Sequence, residues 1–336
     1  MDRPRDYVWN LQSHRPRLPV RLVLAVIVLA VFGFVVALAA DAFLTASLLT
    51  VASALTGGGG PASQPDVIAR NVAGVTASTV GTVGGVYLVG RFVDRRHFAD
   101  FGFRIDRGWY RDLGVGLLLG AGLMTAVFLV ELALGWVRVT DTFRVAQSGF
   151  AFWPWVLWSA VFFTSVALTE ELLLRGYLLT NVAEGLTWFD GLSKTGAIAV
   201  ATLLTSALFG VGHFGNPNAT LVSTLGILLA GVMLALGYVV SGELALPIGL
   251  HLTWNFFQGP VFGLPVSGID FGVSVLAVEQ SGPTVLTGGP FGPEAGLLGM
   301  AAVLVGSGLI VAYGRWQRSV QEGSRAVVTP RLRSTD

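Results

Sequence analysis

Residues 22–40, LVLAVIVLAVFGFVVALAA, run for 19 positions without a single charge. About 20 apolar residues make a helix long enough to cross a hydrocarbon core of roughly 30 Å. Inside such a core every backbone N–H and C=O must find its partner within the protein, which leaves helices or closed barrels. Comparable apolar stretches recur along the chain, at roughly 20–50, 70–91, 113–137, 153–180, 196–213, 221–241, 246–263 and 295–314. The expected fold is therefore all-α, a polytopic membrane bundle of about eight transmembrane helices. Composition agrees, with 53% hydrophobic and 12% charged residues in 336. A soluble domain has about 25% charged residues.

The charge that remains is unevenly placed. Lys194 is the single lysine, and arginine supplies the rest of the positive charge, which with the Ala/Gly/Val richness points to a GC-rich prokaryotic genome. Arginines gather in the N-terminal stretch, in 91–112 and in the tail 315–336. Short arginine-rich segments stay cytoplasmic, so eight crossings put both termini in the cytoplasm of a cell membrane. The Gly/Pro-rich stretch 281–296 then lies outside, and GGGGPASQP (57–65) is a flexible loop. The first apolar run is too long for a signal-peptide core and reads as an anchor that stays. Three parts are expected: an N-terminal pair of helices over 1–100, a helical core over 101–315 and a cytoplasmic tail over 316–336. There is no cysteine, which excludes disulfides, thiol nucleophiles and cysteine metal sites. No internal repeat is visible, and the short arginine stretches suggest no nucleic-acid role.

Against this background, 168-LTEELLLRGYLL-179 sets two carboxylates and a guanidinium in an apolar segment. Each such group costs about 2.5–3.5 kcal/mol at mid-membrane on insertion scales. Glu171 and Arg175 are four apart and can pair on one helix face, while Glu170 points about 100° away. A charge cluster at a helix end is the structural alternative. His213 ends one apolar segment and His251 lies in another, with Phe209 and Asn255 each four positions from a histidine and so on its face. His14 and His97 read as solvated, Glu131 as a snorkelling or packing residue, Asp41 as a helix cap or breaker and Glu243 as solvated. Trp153, Trp155 and Trp158 read as interfacial anchors.

A carboxylate in an apolar site becomes a base suited to neutral pH, and an asparagine amide can stabilise a developing oxyanion. Glutamate, two histidines and asparagine thus suffice to activate water against a peptide carbonyl. Two histidines and a glutamate are equally a zinc ligand set, although the His-Glu-x-x-His signature is absent.

The motifs 170-EELLLR-175, 209-FGVGH-213 and 251-HLTWN-255, in this order on successive apolar segments, resemble the CPBP family, the CAAX proteases and bacteriocin-processing enzymes also called Abi proteins. The resemblance implies an intramembrane endopeptidase, with the likeness extending over roughly 100–315. It implies Glu170 as the base that activates water, with Glu171 and Arg175 as its supporting pair. His213, packed on Phe209, would share water activation or bind a metal. His251 and Asn255 would hold the oxyanion or supply further ligands. Two readings of the cofactor stand: Zn2+ held by Glu170, His213 and His251, or metal-independent glutamate chemistry. The implied partners are membrane-associated protein or peptide substrates within the lipid bilayer: prenylated C-terminal peptides in eukaryotes, and peptide processing or bacteriocin immunity in prokaryotes. The competing functions are a non-catalytic immunity or scaffolding protein and an ion- or proton-coupled transporter. In straight full spans, His213 would lie near one membrane face and His251 near the other.

Overall fold

The computed structural model describes residues 8–10, 13–40, 64–147, 149–317 and 327–330, with the isolated positions 42, 46, 50, 323 and 332. Asp41 and most of the Gly/Pro-rich 57–65 stretch lie outside these residues. Among the described residues, eight principal helices carry the fold, joined by a two-stranded sheet and preceded by a short antiparallel pairing of Trp9–Asn10 with Arg15–Pro16. The principal elements are α1 Leu18–Ala39, α2 Gln64–Phe92, α3 Arg107–Ala133, β1 Val137–Val145, α4 Phe152–Leu186, α5 Lys194–Gly212, α6 Leu221–Ser241, α7 Ala245–Phe256, β2 Val273–Gln280 and α8 Leu297–Gln317. Among the described residues, seven helices, all of these except α7, are long and apolar enough to cross a membrane. The chain is a polytopic, mostly helical membrane protein.

The segment expected to cross at 246–263 is instead α7, a helix of 12 residues continued by a π-helical turn, Phe257–Val261. At 1.5 Å per residue α7 is about 18 Å long, too short to span. Its residues Ala245 to His251 are all buried, so it is wrapped by protein rather than by lipid. This wrapping rests on bare backbone. A Cβ on Gly116 would overlap the carbonyl of Leu246, and one on Gly120 would overlap the carbonyl of Leu250 and the Thr253 hydroxyl. Small residues let membrane helices approach this closely. Thr253 Oγ1 adds a 2.8 Å bond to the carbonyl of Leu117 on α3.

Helix α4 is continuous over 35 residues, but Leu172–Leu179 is wound as π-helix, starting immediately after Glu171. π-segments are frequent at functional sites, and here the change of winding falls among the three charged residues.

The sheet is an addition to the all-helical expectation. β1 and β2 pair antiparallel from Val137↔Gln280 to Val145↔Val273, with an irregularity between Val139 and Asp141. It joins the chain after α3 to the chain after α7. Glu131, expected to snorkel or pack, does the latter: it is fully buried beneath the sheet and accepts from Gln280 Nε2 at 3.2 Å. Trp153 is exposed, as an interfacial anchor would be. Trp158, however, is buried, and Trp155 donates through Nε1 to the carbonyl of Phe271, just before β2.

At the opposite end of the bundle several arginines are structural. Arg15, Arg21 and Arg96 are buried with Asp94 and Glu184. Arg21 Nη1 reaches Asp94 at 3.2 Å, Asn181 at 2.9 Å and Glu184 at 3.1 Å, and Arg96 Nη2 reaches Glu184 at 2.5 Å. The cluster fastens the N-terminal segment to the 93–106 loop and to the end of α4. Burial raises the Asp94 pKa, with Arg21 and Arg96 opposing, and burial pushes Arg15 down to about 10 against the pull of Glu184. Glu243, expected to be solvated, is nearly buried and pairs with Arg104. His14 and His97 are exposed as expected.

The glycine contact between α3 and α7 makes a paired prediction. Gly120→Ala should lower thermal stability in detergent by about 1–3 kcal/mol through overpacking. Gly122→Ala, where a Cβ meets nothing within 4 Å, should be neutral or stabilising by up to about 1 kcal/mol. Equal effects at the two positions would refute the close-packing account.

Candidate active site

The residues of the three motifs meet at one depth. Two contacts fix the register of α7 in the bundle. A Cβ on Gly237 of α6 would lie 2.8 Å from Leu246, whereas one on Gly231 would lie 3.2 Å from Phe209. Helix α7 therefore begins more than a turn inside the end of α6. His251, five residues beyond Leu246, rises level with Phe209. The ring centroid of Phe209 is 4.8 Å from that of His213 and 5.9 Å from that of His251, both edge to face. The separation expected from straight spans disappears because α7 does not start at a membrane face.

The charged pair on α4 lies beneath these rings. Arg175 donates to Glu171 Oε1 at 2.8 Å and to the carbonyl of Gly231 at 3.1 Å, with its guanidinium 4.6 Å from the centre of the Phe209 ring. Both members of the pair are wholly buried. The same Glu171 oxygen lies 2.9 Å from His251 Nδ1. With Glu171 as acceptor, His251 donates through Nδ1–H, which leaves the lone pair of Nε2 free. That Nε2 is 3.9 Å from Glu170 Oε2, beyond hydrogen-bond range. Glu170 Oε2 is itself buried without a partner. His213 closes the α5 end and places Nδ1 2.8 Å from the carbonyl of Phe209. A carbonyl only accepts, so this ring too donates through Nδ1–H, which turns Nε2 to the other side.

Glu170, His213, His251 and Asn255 line one cavity of about 60 Å³, which Phe209, Ile227, Met233 and Trp254 bound on the apolar side. A water needs about 10–15 Å³ by this measure, so a few waters fit and a peptide does not. Every residue singled out for the site is here or directly beneath it. The cavity has two further polar residues that the motifs do not contain, Ser267 and Glu294. Glu294 lies in the 281–296 stretch expected to lie outside; its cue in the sequence was a solitary carboxylate in the Gly/Pro-rich GGPFGPEAG.

Residues 151–257 match the family model described as type II CAAX prenyl endopeptidase Rce1-like. The chain is also 26% identical over 246 residues to the uncharacterized protein YyaK of Bacillus subtilis (strain 168), over 72% of this chain and 75% of that protein. No solved structure gives a significant match. The Rce1-like segment contains all three motifs, from Glu170 to Asn255, whereas Glu294 falls beyond it.

Among the described residues no three His, Cys, Asp or Glu side chains gather closely enough to hold an ion. As spaced here, Glu170, His213 and His251 do not form a zinc ligand set.

The Rce1-like site makes a stability prediction of its own. Arg175→Met would leave Glu171 buried without its cation, a change that costs on the order of 3–5 kcal/mol. The double variant Glu171→Gln/Arg175→Met should recover part of that loss. Thermal unfolding in detergent measures both, and an Arg175→Met protein as stable as wild type would contradict the pairing.

Proposed function

We propose that this protein is an intramembrane endopeptidase that cleaves membrane-associated protein or peptide substrates with water activated by Glu170. The observation that carries the proposal is the unpartnered Glu170 Oε2 in a polar cavity, 3.9 Å from a histidine nitrogen whose proton is held on the far side of its ring. Water between these two groups loses a proton to Glu170 as its oxygen attacks the peptide carbonyl. The carbonyl electron pair moves onto oxygen, and the Asn255 amide stabilises the resulting oxyanion. As the C–N bond breaks, Glu170 returns the proton to the departing amine. Glu171 acts through His251, fixing its tautomer and orientation, with Arg175 and Phe209 beneath. His213 Nε2 supplies a second acceptor on the cavity wall.

The match of residues 151–257 to CAAX prenyl endopeptidase-like proteins supports peptide hydrolysis. The polar groups also gather around one small cavity, which favours hydrolysis over transport. The arginine-rich segments support a reading in which both termini lie on the cytoplasmic side of the plasma membrane, by the positive-inside rule.

The test is cleavage of membrane-tethered peptides by purified protein in liposomes. Glu170→Gln, His213→Ala and His251→Ala should each lower kcat/KM by about a hundred- to ten-thousandfold, and Asn255→Ala by about a hundred- to thousandfold. A strong chelator should leave the rate unchanged if the side chains act alone; loss of activity would restore zinc to the mechanism. A folded wild type that cuts nothing would favour the non-catalytic immunity or scaffolding reading.

A further inference from the structure

Glu294 belongs to none of the three motifs and lies outside the Rce1-like segment, yet its carboxylate joins both halves of the site. It sits in the short turn Pro293–Ala295 and is 5% exposed. Its Oε2 accepts from Gln258 Nε2 at 2.6 Å, and its Oε1 accepts from the backbone N–H of Ser267 at 3.0 Å and from the Ser267 hydroxyl at 3.3 Å. Each partner leads to a motif. Gln258 follows Asn255 by three residues, in the π-turn that continues α7. Ser267 accepts through its carbonyl from Asn216 Nδ2 at 2.9 Å, and Asn216 follows His213 by three residues in the turn that closes α5. Gln258 Nε2 also binds the carbonyl of Pro265 at 2.5 Å, which draws the 264–269 loop over the cavity.

The backbone around this carboxylate is shaped for it. Ser267 holds φ at 47°, a left-handed conformation that is costly for a residue with a Cβ. Such strain persists where surrounding bonds over-determine it, and here both backbone polar groups of Ser267 are engaged. Gly292 has φ 112°, and a Cβ there would lie 2.7 Å from Glu294 Oε2 and 2.9 Å from Gln258 Nε2. The turn itself presses against Gly226 of α6 and Gly299 of α8, where any Cβ would overlap its carbonyls.

We infer that Glu294 is a positioning residue of the site: its carboxylate clamps Gln258 and Ser267 together and so fixes Asn255 and His213 relative to each other across the cavity. Both of its carboxylate oxygens are engaged by Gln258 and Ser267, so it acts through those partners. Its contribution is the placement of an oxyanion donor and an imidazole that come from separate helices, and the closure of the wall that faces Glu170 and His251.

The kinetic part of this inference rests on the protease reading, and the labelling part does not. Glu294→Gln keeps the size of the side chain but sets an amide N–H₂ or a single acceptor where two acceptor oxygens are required. Its kcat should fall by about a hundredfold, the scale of a 1 Å misplacement, while KM stays within about twofold. Gln258→Met should do the same, and the double variant should be no worse than either single one, because both remove one bond. Unchanged kcat, a rise in KM alone, or effects that multiply would overturn the clamp. Because the chain has no cysteine, Val266→Cys, at a position 4% exposed in the clamped loop, gives a second measurement. Adding Glu294→Gln should speed its maleimide labelling by about tenfold or more, as local opening exposes the thiol. If Glu294→Gln does not fold, Gln258→Met takes its place in the labelling. Unchanged labelling would overturn the clamp whether or not the protein cleaves peptides, whereas a wild type that cleaves nothing while labelling rises would sink the protease reading and leave the clamp standing.

Discussion

One oxygen atom of Glu171 organises the centre of this molecule. It accepts from Arg175 and lies within hydrogen-bond distance of His251 Nδ1, so a single buried carboxylate links α4 to α7 and decides which nitrogen of His251 faces the cavity. A buried ion pair is weak evidence of stability, because desolvation offsets most of its attraction. What such a pair provides is definition of geometry. Arg175 is held from three directions, by Glu171, by the Gly231 carbonyl and by the Phe209 ring. Phe209 in turn seats both histidines. Toward the cavity, Glu170 Oε2 is left without a hydrogen-bond partner, 3.9 Å from His251 Nε2.

That division of labour accounts for two adjacent glutamates on one helix. Glu171 is wholly buried and engaged, whereas Glu170, a third exposed, points into the cavity. Both come from the last turn of the α-helical part of α4, and the π-winding begins at Leu172. Arg175 therefore approaches Glu171 from a turn wound more widely than an α-helix, which leaves room for α6 to offer its Gly231 carbonyl. A membrane helix tolerates three charged groups in six positions here because two of them satisfy each other and the third borders a polar cavity.

Much of this was legible in the sequence. Hydropathy marked the seven long helices, and the spacings Glu171–Arg175, Phe209–His213 and His251–Asn255 marked side chains that the fold gathers in or beneath one cavity, because a four-residue interval puts both residues on one helix face. What escaped depended on long-range closeness. The 246–263 segment has the composition of a membrane span, and only the glycines of α3, far away in sequence, let it be swallowed by the bundle as a short helix. The buried arginines at the other end read as positive-inside residues because their partners Asp94 and Glu184 come from separate segments. β1 was hidden at the end of a helical run, and Glu294 in a stretch whose Gly/Pro content signals a loop without showing what the loop covers.

The shortness of α7 also determines where chemistry can occur. A full-length helix would carry His251 near a membrane face, away from His213. Starting inside the bundle, α7 brings His251 and Asn255 level with the end of α5, and its own end falls beneath the 257–296 connection. That connection has to close the space a longer helix would have filled. It does so with a π-turn, a strained loop at Ser267, the β1–β2 pair and the turn bearing Glu294, all backbone that is tolerated at this depth only because it is enclosed by protein and lines a polar cavity. The cavity of about 60 Å³ has room for a few waters, and this wall forms one side of it. The wall is the least regular part of the core and is held together chiefly by hydrogen bonds. The feature that lets two distant motifs meet thus also leaves the cavity to be completed by irregular backbone from outside the three motifs.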